Sequence, residues 1–167
     1  MRVFQTKADD RLRLFYPASL LLVLVILLNA CSTEKTDFSR IESDKPLAQI
    51  LDDLEFAITE RNFRINNRLH IGKAISERVS SGFPDYEVIL FCNLSHAQKM
   101  LELAPEFISY CPHRLAIRDT GNTRIITASL LPEDTSNAEL NRVTGKVNDL
   151  VREMLEFAAE EWPEVEE

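Results

Sequence analysis

Cys92, His96, Cys111 and His113 lie close together in the middle of the chain and are the residues most capable of chemistry. Thiolates and imidazoles are zinc ligands, and two cysteines can form a disulfide or a dithiol redox couple. The C-x₃-H…C-x-H spacing matches no standard zinc signature, and the chain has no C-x-x-C motif. The spacing therefore leaves open a disulfide, a redox pair, two unpaired buried cysteines and, as the weakest alternative, a metal site.

The elements around these residues predict how they are positioned. The apolar segment YEVILFC, Tyr86 to Cys92, is typical of a central strand, and a short helix should begin near Ser95. Cys111 directly precedes another strand that begins near His113, so a path that leaves the sheet and returns could join the two sulfur atoms. The histidines are expected at the surface. A position just before a helix N-terminus would favour a Cys92 thiolate, but no hydrolase, metalloprotease or phosphate-loop motif accompanies it, so neither an enzyme nor a cofactor is predicted.

Hydrophobic periodicity predicts an α+β domain with helices on one face of an antiparallel sheet. A helix should follow Pro46. The segment NFRINNRLHIG alternates apolar and polar residues, which predicts a strand with one face exposed to solvent. Its row of Arg64, Arg68 and His70 is interpreted as a solvated strand face, with an anion site as the less favoured alternative. The turn Thr120-Gly121-Asn122 predicts a hairpin, and the capping-box pattern from Ser136 to Glu139 predicts the start of a long closing helix.

The N-terminus carries basic residues followed by the apolar run LLLVLVILL, which is short for a membrane span and typical of a signal peptide. Leu28-Asn29-Ala30-Cys31 resembles the lipobox of bacterial lipoproteins, which implies cleavage before Cys31 and its acylation. Ser32, directly after the cysteine, resembles the pattern of lipoproteins that are sorted to the outer membrane. We therefore expect a signal peptide over residues 1–30, a polar tether over 31–45, ending in a short strand around Phe38 and Ile41, and one domain over 46–167.

The net charge limits the classes of partner that the protein can bind, and the cysteine count bears on the state of its thiols. Removing four basic and two acidic signal residues changes the net charge from −8 to −10, and such an acidic chain predicts no nucleic-acid partner. The predicted partner is the lipid bilayer, reached through acylated Cys31. Disulfides persist outside the cytoplasm, and lipidation leaves Cys92 and Cys111 as an even pair, so we predict a disulfide between them.

The chain from about Leu47 to Phe157 also resembles a known family, the domain of unknown function 302. The resemblance rests on NFRI after a helix, on ILFCNLSHAQKMLELAPEF, on CPHRLAIRDTGNTRIITAS and on the long closing helix. It departs from the family pattern at Leu94, in place of a proline, and at Pro112, which follows Cys111. The resemblance implies a β-α-β4-α fold like that of TATA-binding-protein halves, frequently as a homodimer, and implies no activity.

Two functions follow as hypotheses. The first is a membrane-tethered periplasmic lipoprotein that acts as a non-catalytic binding module for a ligand or envelope partner. The second is a thiol-redox or sulfur-handling accessory protein that uses Cys92 and Cys111.

Overall fold

The computed structural model describes residues 38–79 and 82–161. Within them, five strands form one antiparallel sheet in the order β1-β5-β4-β3-β2. The strands are β1 Phe38–Ser43, β2 Arg64–His70, β3 Tyr86–Cys92, β4 His113–Asp119 and β5 Arg124–Ser129. The predicted α+β fold is confirmed, and the apolar segment YEVILFC is an interior strand of the sheet, as predicted.

The helices are α1 Leu47–Glu60, α2 Ile71–Ser76, α3 Leu94–Leu103, a 3₁₀-helix Pro105–Tyr110 and α4 Ala138–Ala159. Helix α2 and the 3₁₀-helix are additions to the sequence prediction, which extended the β2 alternation to Ile71. In the part of the chain that the structure describes, every helix is too short or too polar to cross a membrane. The apolar run before Cys31, and Cys31 itself, lie outside the described residues.

The strand register sorts side chains onto two unlike faces. Phe91 pairs with His113, and Ile89 pairs with Leu115, so these residues share the face that the helices cover. They are fully buried against α1 and α4, whose inward residues include Leu54, Val151 and Leu155. The alternate strand positions remain half-buried or exposed, except for Cys92 at the end of β3, which is buried. We call these alternate positions the open face; it includes Arg40, Val88, Leu90, Arg114, Ala116, Arg118, Ile125, Thr127 and Ser129.

The domain begins earlier than the boundary placed at Pro46. The strand expected around Phe38 and Ile41 is β1, which pairs with β5 along its whole length. Directly after it, the buried Lys45 ammonium contacts the Asp53 carboxylate and donates to the Glu160 carbonyl at 2.9 Å. These contacts tie residues that follow β1 to the end of α4, so residues 38–45, predicted from the sequence to be tether, are part of the folded domain.

The structure shows how the predicted hairpin turn and the predicted start of the long helix form. The β4–β5 turn is the predicted hairpin, and Gly121 adopts a φ of 93°, which glycine alone tolerates easily. Helix α4 begins one residue later than the capping-box pattern indicated. Its cap is Asn137, whose side-chain oxygen accepts from the backbone N–H groups of Glu139 at 3.0 Å and Leu140 at 3.1 Å. Asparagine caps helices as well as serine does, and with Asn137 as the cap the third helical residue is Leu140, so the capping box read from Ser136 to Glu139 does not form.

Asn148 connects α4 to the segment that follows β5. Its side chain accepts from the Leu131 N–H at 2.8 Å and donates to the Leu131 carbonyl at 2.9 Å. Asn148 and Leu131 are both buried, so water has little access to these backbone groups. The amide therefore satisfies two polar groups that would otherwise be desolvated without partners.

We predict that Asn148→Ala lowers the free energy of unfolding by about 2–4 kcal/mol, because each unsatisfied buried group costs about 1–3 kcal/mol. Urea denaturation followed by circular dichroism measures the change. Asp149→Ala is the matched control, since the neighbouring Asp149 side chain is exposed and its ion pair with Arg152 is at the surface. Equal midpoints for the two variants would contradict the role given to Asn148.

Candidate functional site: the thiol pair and the open face

Cys92 and Cys111 meet at one end of the sheet. Cys92 is the last residue of β3, and Cys111 follows the 3₁₀-helix two residues before Phe91's partner, His113. Because β3 and β4 are neighbours, the chain that leaves at Cys92 returns beside it. The two Sγ atoms lie 2.7 Å apart. The path out of the sheet and back therefore brings the two sulfur atoms together, as expected from the sequence, and the disulfide between them stays a prediction.

Asn93 fixes the turn immediately after Cys92. Its side-chain oxygen accepts from the backbone N–H groups of Ser95 and His96 at 3.0 and 3.1 Å and so caps α3. The Asn93 Nδ2 atom donates to the Asn62 carbonyl at 2.9 Å. This hydrogen bond links the turn after β3 to the loop between α1 and β2. The side chain is buried, so its hydrogen bonds are shielded from water. This cap holds the backbone of Cys92 in place.

The environment of Cys92 favours the protonated thiol. Burial raises the pKa of the reduced Cys92 thiol to about 12, with further contributions from the hydrogen bond and the charge of Cys111. The thiolate is the reactive form of cysteine, and at neutral pH this thiol would supply very little of it. Burial therefore outweighs the effect expected from the N-terminus of α3, while Cys111 remains partly exposed.

The surface position predicted for His113 is wrong. His113 is buried, with ring centroids 5.5 Å from Phe91 and 5.9 Å from Phe63. Its pairing with Phe91 forces it onto the helix-covered face, and the alternation His113, Leu115, Ile117 in the sequence carried that signal. Burial lowers the pKa of His113 to about 4, and the charge of His96 contributes.

His96 is half-buried beside the same aromatic ring, at 5.9 Å from Phe63. Burial lowers its pKa, and the nearby Lys146 and Lys99 lower it further. Its Nδ1 atom is buried without a hydrogen-bond partner among the described residues. Across residues 38–79 and 82–161, no group of three or more His, Cys, Asp or Glu side chains is arranged to hold a metal ion. The four residues considered as a ligand set therefore do not converge as one.

The basic row predicted on β2 does not form one surface. A bulge between Ile65 and Asn67 interrupts the alternation. Arg68 consequently points to α1 and pairs with Glu55, while His70 Nδ1 lies 2.7 Å from the Glu87 carboxylate. Arg64 pairs in register with Cys92 and is exposed. The three side chains have separate partners and do not make an anion site together.

The open face combines apolar and basic side chains. One row across the strands contains Leu90, Arg114, Ser129 and Phe38 in register. The next row along the strands contains Val88, Ala116, Thr127 and Arg40. Within the described chain, neither Arg114 nor Arg118 forms an ion pair. Apolar residues on both faces of β3 explain why its sequence is nearly continuous in hydrophobic residues.

Comparison with known proteins agrees with this architecture. The family described as "Domain of unknown function DUF302" matches residues 39–161, which is most of the chain. The chain belongs to the DUF302 family. No curated protein matches this DUF302 protein.

The fold is also similar to the crystal structure of an uncharacterized conserved DUF302 protein from Bacillus stearothermophilus. The TM-score is 0.66 at 12% sequence identity, over 75% of this chain and 99% of that chain. The similarity shows the fold alone. Since the aligned region is nearly the whole of the other protein, the DUF302 domain is a complete folding unit there.

We predict that Cys92 and Cys111 form a disulfide in the Ser32–Glu167 fragment secreted to the periplasm. Alkylation in denaturant should label no cysteine before reduction and two after it. The Cys111→Ser variant is the control and should show one label without reductant. Closing a loop of about 20 residues should raise the free energy of unfolding by roughly 3 kcal/mol relative to the reduced fragment. Two labels on the unreduced fragment would exclude the bridge.

We also predict that stability falls as the pH drops from about 6.5 to about 4. The unfolded state binds a proton at His113 in this range and the folded state does not, so protonation favours unfolding. The loss attributable to His113 should reach up to about 3 kcal/mol at pH 4. Urea denaturation between pH 4 and 7 measures it, and His113→Phe should flatten the profile. Parallel profiles for the two proteins would refute the assignment.

Proposed function

We propose that the protein is a lipid-anchored, non-catalytic binding module of the bacterial envelope and that its open face is the binding surface. The observation that carries this proposal is the uncovered sheet, on which Val88, Leu90 and Ile125 remain half-exposed beside exposed arginines. Apolar side chains in the middle of a sheet are normally covered, and uncovered ones often mark an interaction site. Here they lie on a rigid scaffold, as binding residues require.

The anchor in this proposal is Cys31, by the likeness of Leu28-Asn29-Ala30-Cys31 to a lipobox. Phe38 is the seventh residue after Cys31, and a fully extended chain spans about 3.4 Å per residue. The start of β1 would therefore lie within roughly 25 Å of the acylated cysteine. Two or three acyl chains anchor a protein essentially permanently, and Ser32 favours the outer membrane as the destination.

The alternative function is a thiol-redox or sulfur-handling accessory. The 2.7 Å separation of the Sγ atoms and the partial exposure of Cys111 favour it. The raised pKa of Cys92 opposes it, because an oxidoreductase cysteine needs a thiolate near neutral pH. We therefore assign the pair a structural role, in which the bridge fastens the end of β3 to the start of β4.

A homodimer is part of the proposal and derives from the DUF302 family resemblance. Two-fold dimers are the commonest oligomers, and in this dimer each copy would present its own open face. In this proposal the dimer forms between two copies that are both anchored to the membrane by lipid. Its assembly would not require the thiols, since Cys92 and Cys111 are already adjacent within one chain.

We predict that the full-length protein, expressed in a bacterial host, is recovered from membranes with its mature chain starting at lipidated Cys31. Native mass spectrometry should report the acyl groups, the Cys92–Cys111 bridge and a dimer in one measurement. Cys31→Ser should leave the precursor uncleaved, because the lipid-modified sulfur directs processing.

Processing of the Cys31→Ser variant to a free periplasmic protein would overturn the anchor. A monomeric mass would remove the dimer from the proposal. Rapid reaction of the reduced Cys92–Cys111 pair with low-molecular-weight disulfides at neutral pH would favour the redox alternative over the binding module. Cys111→Ser is the matched control for that reaction, since it retains Cys92 alone.

A further inference from the structure

A cavity of about 480 Å³ lies on the open face at the end of the sheet that carries the thiols. We call it the end cavity. The residues that line it include Phe38, Leu90, Tyr110, Pro112, Arg114 and Leu131. This volume falls in the range of small-molecule sites, which are mostly apolar with a few placed polar groups.

The lining of the end cavity is apolar apart from a few hydroxyl groups, His113 and a single charged side chain, Arg114. The Arg114 guanidinium donates to the Ser129 hydroxyl at 3.3 Å and has no ion-pair partner in the described chain. Most of its five N–H donors are thus available to a ligand. A guanidinium fork matches a carboxylate geometrically, so this lining suits a molecule with an apolar body and one oxyanion.

The charge of the open face supports an anionic occupant. Arg114 and Arg118 lie on it without ion-pair partners in the described chain, whereas Arg40 pairs with Glu42, which its register opposite Ile125 places on the same face. The chain as a whole has a net charge of −8. An anion is attracted locally, although the protein as a whole repels it. A second copy docked face to face through a two-fold axis would instead bring arginines against arginines, which disfavours self-association through this surface.

The position of the end cavity relative to the predicted anchor indicates where the ligand comes from. Phe38 lines the cavity and is the first residue of β1, seven residues after Cys31. Phe38 and Tyr110 are also among the exposed large apolar residues, so the entrance is apolar on the outside as well. A site within about 25 Å of a bilayer is well placed for a single-chain molecule that partitions into membranes.

We propose that the end cavity binds a single-chain fatty-acid carboxylate, with the carboxylate on Arg114 and the alkyl chain against Leu90, Phe38 and Leu131. This proposal rests on the proposed function, because it names the ligand class of the open face. It predicts that Arg114 selects the anionic head group and that the apolar lining selects the chain. The matching control position is Arg118, which is exposed on the same face of β4 but lies outside the end cavity.

The test is calorimetric titration of the Ser32–Glu167 fragment, which contains the whole domain and lacks Cys31, with laurate below its micellar concentration. Wild type should bind one laurate per chain and bind dodecanol roughly tenfold more weakly or worse, because the alcohol lacks the charge. Arg114→Gln should lose this preference and roughly tenfold in laurate affinity, whereas Arg118→Gln should stay near wild type. Leu90→Trp should weaken both ligands by filling the cavity.

Equal loss in Arg114→Gln and Arg118→Gln, or equal binding of laurate and dodecanol, would overturn the proposal. So would co-sedimentation with phosphatidylglycerol vesicles that needs Arg114 while laurate does not bind, since the face would then recognise a membrane surface. Loss of laurate binding upon dimerisation, seen by sedimentation, would likewise make the face an interface between copies. None of these outcomes alters the processing and lipidation of Cys31, so failure of the ligand assignment is distinguishable from failure of the anchor.

Discussion

The pairing of Phe91 with His113 across β3 and β4 determines which strand residues lie in the core, where the two cysteines meet and which residues form the open face. It places Ile89, Leu115 and Ile117 under the helices, and it brings the end of β3 next to the chain that enters β4. The sulfur atoms of Cys92 and Cys111 meet because of it. One residue further along, the same register places Leu90 opposite Arg114 on the uncovered side. A slip of one residue would exchange the two faces, so burial of Phe91 maintains both the core and the open face.

Much of this architecture can be predicted because it follows from short-range patterns. The apolar run of β3, the glycine turn before β5 and the stripe of α4 each identify an element directly. The elements that escape prediction depend on tertiary contacts. The strand around Phe38 is predicted, but its membership of the domain is not, because β1 is polar in sequence and is stabilised by pairing with β5. Helix α2 is only six residues long. The end of the β2 alternation is obscured by a bulge. The adjacency of the cysteines could be anticipated from the order of the elements, and the burial of His113 from its alternation with Leu115 and Ile117, a signal that the surface position predicted for His113 overlooked.

The two sides of the sheet have opposite electrostatic character. On the helix-covered face, burial favours the neutral form of His113, and at the same end of the sheet the amide of Asn93 supplies hydrogen bonds without a charge. Desolvation penalises ionised groups there, so that end is suited to holding the strands together. The unpaired guanidinium groups lie on the other side, where solvent reaches them. The sheet therefore separates a structural layer from a layer that can recognise a charged partner.

The bulge in β2 has a consequence for copies of the protein held close together. β2 forms one edge of the sheet, and an edge strand offers unpaired backbone groups to any neighbouring chain. The bulge between Ile65 and Asn67 breaks the regular spacing of those groups, and Arg64 adds an exposed charge beside them. The β2 edge of a second copy would therefore meet a strand whose free backbone groups are irregularly spaced and which carries a charge. Close packing of several copies should accordingly not lead these sheets to fuse into a continuous ribbon.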